Sequence, residues 1–391
     1  MSANLSQHRV PFFRIDLDDA DVQAVVSVLR SGWLTTGPET EAFEREFADF
    51  IGGGVEAVAV NSNTAGLHLS LEALGVGPGD EVIVPTLTFT ATAEVVRYMG
   101  ADVVFADVDP KTYCVTADEI SRKITPKTKA VIPVHFGGLS CDLKEIASVT
   151  EPAGVFIVED AAHALPTTFD GKLVGSHGSK SAVFSFYANK TLTTGEGGMV
   201  VSTDRQLIAR ARIMRTHGID RDSFRRFTSA AMQWNYDVVA PGYKYNLTDI
   251  AAALGRSQLR RVHELREARE RIVERYNEAF GELPVALPCP PRSREVHSWH
   301  LYPIAVEADA RIRREGLISV LEAHRVGYSV HYTPLHRMTY WKERYRLHDG
   351  EFPVAADYAD RCVSLPLFPG MTEQDIDQVI AAVRTAFGRN R

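Results

Sequence analysis

The chain has 391 residues, 45% of them hydrophobic and 24% charged, and a net charge of −7. That length suits two domains and buries a core without covalent staples, while the acidic balance excludes bulk attraction to nucleic acid or to an anionic membrane. The cysteines at 114, 141, 289 and 362 have no CxxC spacing, so free thiols are expected rather than a zinc site or a disulfide framework.

In chain order, residues 18–30 carry helical periodicity that stops at Gly32, and 39–51 read as a second helix. Apolar, β-rich runs then follow at 55–60, 81–85, 102–108, 129–136, 154–160, 181–186 and 198–202. Helical patterns separate most of them. Strands apolar almost throughout are buried on both faces, so the alternation predicts a largely parallel α/β sheet covered by helices. From Asp249 to Phe280 the pattern predicts one long, increasingly charged helix, its Arg and Glu residues forming a solvated face. A Pro-rich break at 283–294 leads into a smaller α+β segment. That segment carries a strand at 301–307, a helix through Val320, a strand at 328–332 and a last helix from Thr372 to Phe387. The expected division is a large domain over 12–255 and a linking helix with a small domain over 256–391. The first residues show no apolar signal core, and no stretch approaches the roughly 18 apolar residues of a membrane span. A cytoplasmic enzyme without membrane or nucleic-acid partners is expected.

Four segments lie where predicted strands end or helices begin, which in open α/β sheets is where ligands bind. Asn61-Ser62-Asn63-Thr64-Ala65-Gly66 opens a helix with small polar residues, leaving backbone N–H groups for an anion; a plain N-cap by Asn63 or Thr64 explains it equally. Asp160, in Val158-Glu159-Asp160, ends an apolar strand, where a carboxylate needs a partner. A protonated ring nitrogen would serve, and so would capping of the next turn. Lys190 follows the strand 181–186 and leads into Thr194-Gly195-Glu196-Gly197-Gly198, so its amine can be desolvated and made nucleophilic. Ser185 offers a hydroxyl to a phosphate. In the fourth segment, 241–249, Thr248 or Asn246 would cap the long helix.

These segments, with VEDAAHA, FSFYANKTLTTGEGG and GYKYNLTDI as the densest, resemble the DegT/DnrJ/EryC/StrS sugar aminotransferases. The resemblance runs from SGWLTTGPETEAFE to SLPLFPGMTEQDI. It implies a fold-type-I pyridoxal-phosphate enzyme with a large, mostly parallel mixed seven-stranded sheet and a smaller C-terminal α+β domain. It further implies that Lys190 joins the aldehyde of pyridoxal 5'-phosphate and that Asp160 pairs with the pyridinium nitrogen. Asn63, Thr64 and Ser185 would hold the phosphate, Phe89 would stack on the ring, and His163 would lie near the phenolic oxygen. Asn246 would reach the phosphate of the partner subunit, giving a homodimer with shared active sites. Position 89 is often Trp in the family and position 187 often His. Phe89 and Tyr187 therefore alter the sugar pocket rather than the cofactor chemistry.

The resemblance implies transfer of an amino group from L-glutamate, released as 2-oxoglutarate, to a nucleotide-linked keto sugar. SGWLTTGP, PGYKYNLTDI, HSWHLY and SLPLFPGMT are similar to the enzymes that aminate C4 of UDP-linked 4-keto sugars, including the branch leading to aminoarabinose. Amination at C3, a dTDP-linked substrate, dehydration and a non-catalytic regulatory role are the alternatives. Relatives that dehydrate carry His in place of the lysine, and Lys190 is retained here. Trp33, Thr36, Tyr187, His217 and His331 are candidate substrate contacts, each with a packing role as its alternative, and Lys244 and Arg225 are candidates for a diphosphate. No metal site is expected.

Overall fold

The computed structural model describes residues 8–220 and 236–389. Its first helix, α1 (Asp19–Ser31), starts from Asp18, whose side chain accepts the Asp21 N–H, and ends on Gly32 at φ 77°, the left-handed C-terminal stop that glycine adopts without strain. The second, α2 (Pro38–Ile51), has no side-chain cap of its own. Asp249 supplies one from more than 200 residues away. Its carboxylate accepts the N–H groups of Gly37, Glu39 and Thr40 and the Thr40 hydroxyl at 2.7–3.2 Å.

A seven-stranded sheet follows in the order β1-β9-β8-β5-β4-β2-β3. The strands are β1 (Glu56–Val60), β2 (Glu81–Pro85), β3 (Asp102–Ala106), β4 (Thr128–Val131), β5 (Phe156–Asp160), β8 (Ser181–Ser185) and β9 (Gly198–Ser202), with a small hairpin of β6 (Thr168–Phe169) and β7 (Lys172–Leu173) between β5 and β8. Only β9 runs against the others. The sheet is therefore mixed but mostly parallel, as the resemblance implied. Both faces are covered. Along β1, Ala57 and Ala59 pack with Phe43 and Phe47 of α2. Val58 and Val60 pack on the opposite side with Leu67 and Leu71 of α3 (Asn63–Ala73), the two-residue alternation of a strand. Gly66 lets α3 settle on the sheet, since a Cβ there would lie 2.4 Å from a Val183 methyl.

The expected long helix is two, Asp249–Arg260 and Val262–Phe280. They meet at Arg261 (φ −104°, ψ 2°), whose guanidinium reaches Asp16, Asp18 and Asp21 at 2.7–3.3 Å. The kink has a packing reason. The first helix buries Ala252 and Leu259 against the core of α2, whereas the second turns Ile272, Val273, Tyr276 and Phe280 into a different core. That second core sits on a three-stranded antiparallel sheet, β10 (Val285–Ala286), β11 (Tyr302–Val306) and β12 (Cys362–Leu365). Helices Arg314–Ala323 and Glu373–Ala386 and the N-terminal Val10 complete it. The expected strand at 328–332 is a single bridge, Ser329 to Ser364. Among the described residues no helix is long and apolar enough to cross a membrane.

Candidate active site

A cleft of about 460 Å³ opens at the carboxyl ends of β1, β2, β5 and β8. Parallel strands deliver their C-terminal residues to one edge, so side chains distant in sequence converge there. Asn63, Thr64, Phe89, Asp160, His163, Ser185, Tyr187, Lys190 and His331 all line it.

Asp160 closes β5 and is 5% exposed. It accepts from Thr92 Oγ1 at 2.9 Å, the Ala162 N–H at 3.1 Å and Asn63 Nδ2 at 3.3 Å. The Ala162 bond is the turn-capping role left open above, yet it does not exhaust the group. All three donors are neutral, and burial raises the carboxyl's pKa despite them. A carboxylate so placed is stabilised by a cation brought to it. Glu159, its neighbour in sequence, points the other way and pairs with the buried His135 at 2.9 Å.

Lys190 follows β8 by a turn. Its backbone N–H is held by the Tyr187 carbonyl at 2.9 Å. Burial is the main cause of its amine's fall to about 8, Asp160 opposing the shift and Arg269 assisting it. Near neutral pH far more of it is thus free base, the form that attacks a carbonyl, than of an ordinary lysine. Nζ lies 3.3 Å from His300 Nε2. The His163 ring lies 4.4 Å from that of His300. The Gly137 N–H donates to His163 Nδ1 at 3.3 Å, and Nε2 meets the Tyr332 hydroxyl at 3.1 Å. Burial keeps His163 well below the ordinary imidazole range, so with Nδ1 accepting, the proton sits on Nε2.

An anion cradle stands on the other side. Ser62 caps α3 by accepting the Ala65 N–H, so the cap is Ser62 rather than Asn63 or Thr64. The N–H groups of Asn63 and Thr64, in the first helical turn, have no intrahelical acceptor. Ser185 and Gly197 face them across the cleft. A Cβ on Gly198 would lie 2.7–2.8 Å from the Ser62–Asn63 backbone, so glycine lets β9 approach this helix start. Helix dipole, free N–H groups and hydroxyls together suit a phosphate, Phe89, 61% exposed, offers a flat ring at the mouth, and Asp160 awaits a cation. The residues present thus fit pyridoxal phosphate.

Other candidates lie elsewhere. Trp33 donates to the Thr36 carbonyl at 3.2 Å. Thr36 is buried and accepts from Asn246 Nδ2 at 2.7 Å. His217 and Lys244 are exposed and outside the cleft lining. Thr248, not Asn246, caps helix Asp249–Arg260. Arg225 lies outside the described residues. Conversely, Thr88, Thr92, Asn189, His300 and Tyr332 line the cleft and were not picked out from the sequence. Asn189 and His300 stood in quoted motifs, FSFYANKTLTTGEGG and HSWHLY, and nothing local distinguished His300 from His297.

Residues 15–384 match the DegT/DnrJ/EryC1/StrS aminotransferase family. Over 379 residues the chain is 43% identical to the spore coat polysaccharide biosynthesis protein SpsC of Bacillus subtilis, covering 96% of this chain and 97% of that one. Among solved structures, the sugar aminotransferase Spr1654 of Streptococcus pneumoniae in its PMP form superposes with a TM-score of 0.90 at 33% identity, with 98% of each chain covered. Helicobacter pylori PseC, an aminotransferase of pseudoaminic acid biosynthesis, superposes at 0.89 and 26% identity over 97% of this chain and all of that one.

Proposed function

The chain belongs to the DegT/DnrJ/EryC1/StrS aminotransferase family and is a pyridoxal-phosphate-dependent sugar aminotransferase; from that premise we propose that it aminates C4 of a nucleotide-linked 4-keto sugar, UDP-linked by preference, with L-glutamate as donor. The observation that carries the chemistry is the placing in one cleft of a desolvated amine, Lys190, and a buried carboxylate, Asp160, whose hydrogen-bond donors among the described residues are all neutral. Pyridoxal phosphate, when bound, supplies the electron sink for amino transfer.

The chain's own residues do the rest. Asp160 would keep the ring nitrogen protonated, the helix start at Asn63 and Thr64 with Ser185 would bind the phosphate, and Phe89 and His163 would flank the ring. Lys190 Nζ takes the proton from Cα of the donor and later delivers one to the sugar carbon that receives nitrogen. Glutamate and keto sugar thus become 2-oxoglutarate and amino sugar. Tyr187 and His331, at the cleft's rim, contact the sugar. In one chain Asn246 donates to Thr36. In a homodimer with shared sites it reaches the partner's phosphate.

The C4 and UDP preferences rest on the segments SGWLTTGP, PGYKYNLTDI, HSWHLY and SLPLFPGMT, and SpsC's assignment to polysaccharide biosynthesis agrees with a glycan product. A panel of UDP- and dTDP-linked 3-keto and 4-keto sugars with glutamate, scored by product mass, tests the reading. The expected product is a 4-amino sugar with equimolar 2-oxoglutarate. Loss of water without gain of nitrogen would mark a dehydratase, and no turnover of any keto sugar would sink the proposal.

A further inference from the structure

The imidazole of His300 reaches the reacting lysine from the C-terminal part of the chain, and its setting differs from that of every other histidine in the cleft. Its Nε2 is 3.3 Å from Lys190 Nζ. The ring is 5% exposed and leans on His163 with centroids 4.4 Å apart. His163 has both nitrogens engaged and His331 holds Ser364 Oγ through Nδ1 at 2.9 Å. His300 Nδ1, by contrast, is buried without a hydrogen-bond partner among the described residues. Among the described residues the one polar contact of this imidazole is therefore the lysine amine.

The backbone around it is fixed. Ser298 N–H donates to the Gly138 carbonyl at 3.3 Å and Leu301 N–H to the Gly137 carbonyl at 3.2 Å. Trp299 sits at φ 52°, with its ring stacked on His297 at 3.8 Å and its N–H on His297 Nδ1 at 2.8 Å. The same turn, Phe136–Gly138, donates to His163. Lysine, in contrast, has a flexible four-carbon stem that the β8 turn holds only at its backbone.

We propose that His300 is a positioning residue for Lys190: its Nε2 holds the lysine amine at one place in the cleft whenever that amine is not joined to a carbonyl. Burial pushes His300 well below the ordinary imidazole range, so the contact joins a neutral ring to an amine that titrates near 8. When the amine is protonated Nε2 accepts from it, and when it is free base either group can donate. Orientation of this kind raises the rate of carbonyl capture without changing how much of the amine is free base. The inference rests on the reading of Lys190 given above.

The full chain, freed of cofactor, is mixed with saturating pyridoxal phosphate, and attachment at Lys190 is read by borohydride trapping and peptide mass from about pH 6.5 to about pH 9.5. In His300→Phe the limiting rate is expected to fall about tenfold or more, with the pH midpoint unmoved. His300→Gln, whose amide can meet Nζ, recovers most of it. A limiting rate in His300→Phe equal to that of the unaltered protein overturns the inference, and so does a shifted midpoint with an unchanged limit, or a Gln variant as slow as Phe. If His300→Phe does not fold, His300→Ala takes its place. Restoration by added imidazole supports the role and its failure overturns it. Absence of capture at Lys190 in the unaltered protein would instead bring down the functional reading itself.

Discussion

Asp160 shows how one side chain can be poorly suited to its place in the fold and well suited to a ligand. Among the described residues its carboxylate has only neutral hydrogen-bond donors, and burial raises its pKa despite the Lys190 charge, so removing the charge relieves the bare protein. Asp160→Asn is expected to leave the melting temperature of the cofactor-free chain unchanged or higher. The same variant should retain cofactor less well and lose about a hundredfold or more in turnover, the scale of one displaced electrostatic partner. A drop in the cofactor-free melting temperature would show that the carboxylate serves the fold instead. Lys190 gives a second expectation. With its amine lowered to about 8, mainly by burial, the free base is scarce below that pH and dominant above it. Capture of pyridoxal phosphate should therefore quicken as pH rises through about 8 and then level off. A midpoint near 10, the ordinary lysine range of about 10.4, would show that the amine is not desolvated. Both residues were legible in sequence because Asp160 ends an apolar strand and Lys190 follows one by a turn, where a charged group is costly without a partner. His300 was not, since its two neighbours in the motif, His297 and Trp299, carry equal weight until a distance separates them.

At the scale of elements, most strands fall within a residue or two of their sequence pattern, because the period of a buried strand and the glycine or polar residues that end it are local properties. The helix from Asp249 failed as a single element because the break at Arg261 answers to two cores rather than to a breaker residue. The same region contains the clearest case of distant support. Asp249 caps α2 through three backbone N–H groups and a hydroxyl while buried in its own helix's first turn. Asp249→Ala strands those donors in the interior and is expected to cost about 3 kcal/mol, measured as a shift in urea midpoint at constant slope. A change within about 0.5 kcal/mol would show that other acceptors replace the carboxylate.

At the scale of the whole molecule, two histidines set back from solvent, His297 and His331, couple stability to pH. His297 is lowered to about 3, by burial first and then by Arg266, and His331 to about 4, by burial and then by Lys190. Unfolded, each returns to about 6.5. Above that pH both are neutral in either state and contribute no pH dependence. Below it the unfolded chain binds protons that the native one refuses, so stability falls as pH drops, by about 1.4 kcal/mol per unit for each group, until the folded values are reached. Denaturant melts between pH 7 and pH 5, before most carboxylates titrate, should show this loss. A flat curve over that interval would mean that the two rings protonate in place.

The sequence by itself determined the alternation of strands and helices, the family, and the candidacy of Asp160 and Lys190, since these depend on period, on local chemistry and on motifs read along the chain. Only the tertiary structure decided that β9 runs against its neighbours and that Asp249 caps α2. It also decided that Arg261 divides two helices, that Thr36 is buried away from the cleft and that His300 meets Lys190. Each of these depends on a contact between segments tens to hundreds of residues apart. Nothing in the local pattern encodes such a contact, because packing of whole layers, not propensity, brings the two ends together.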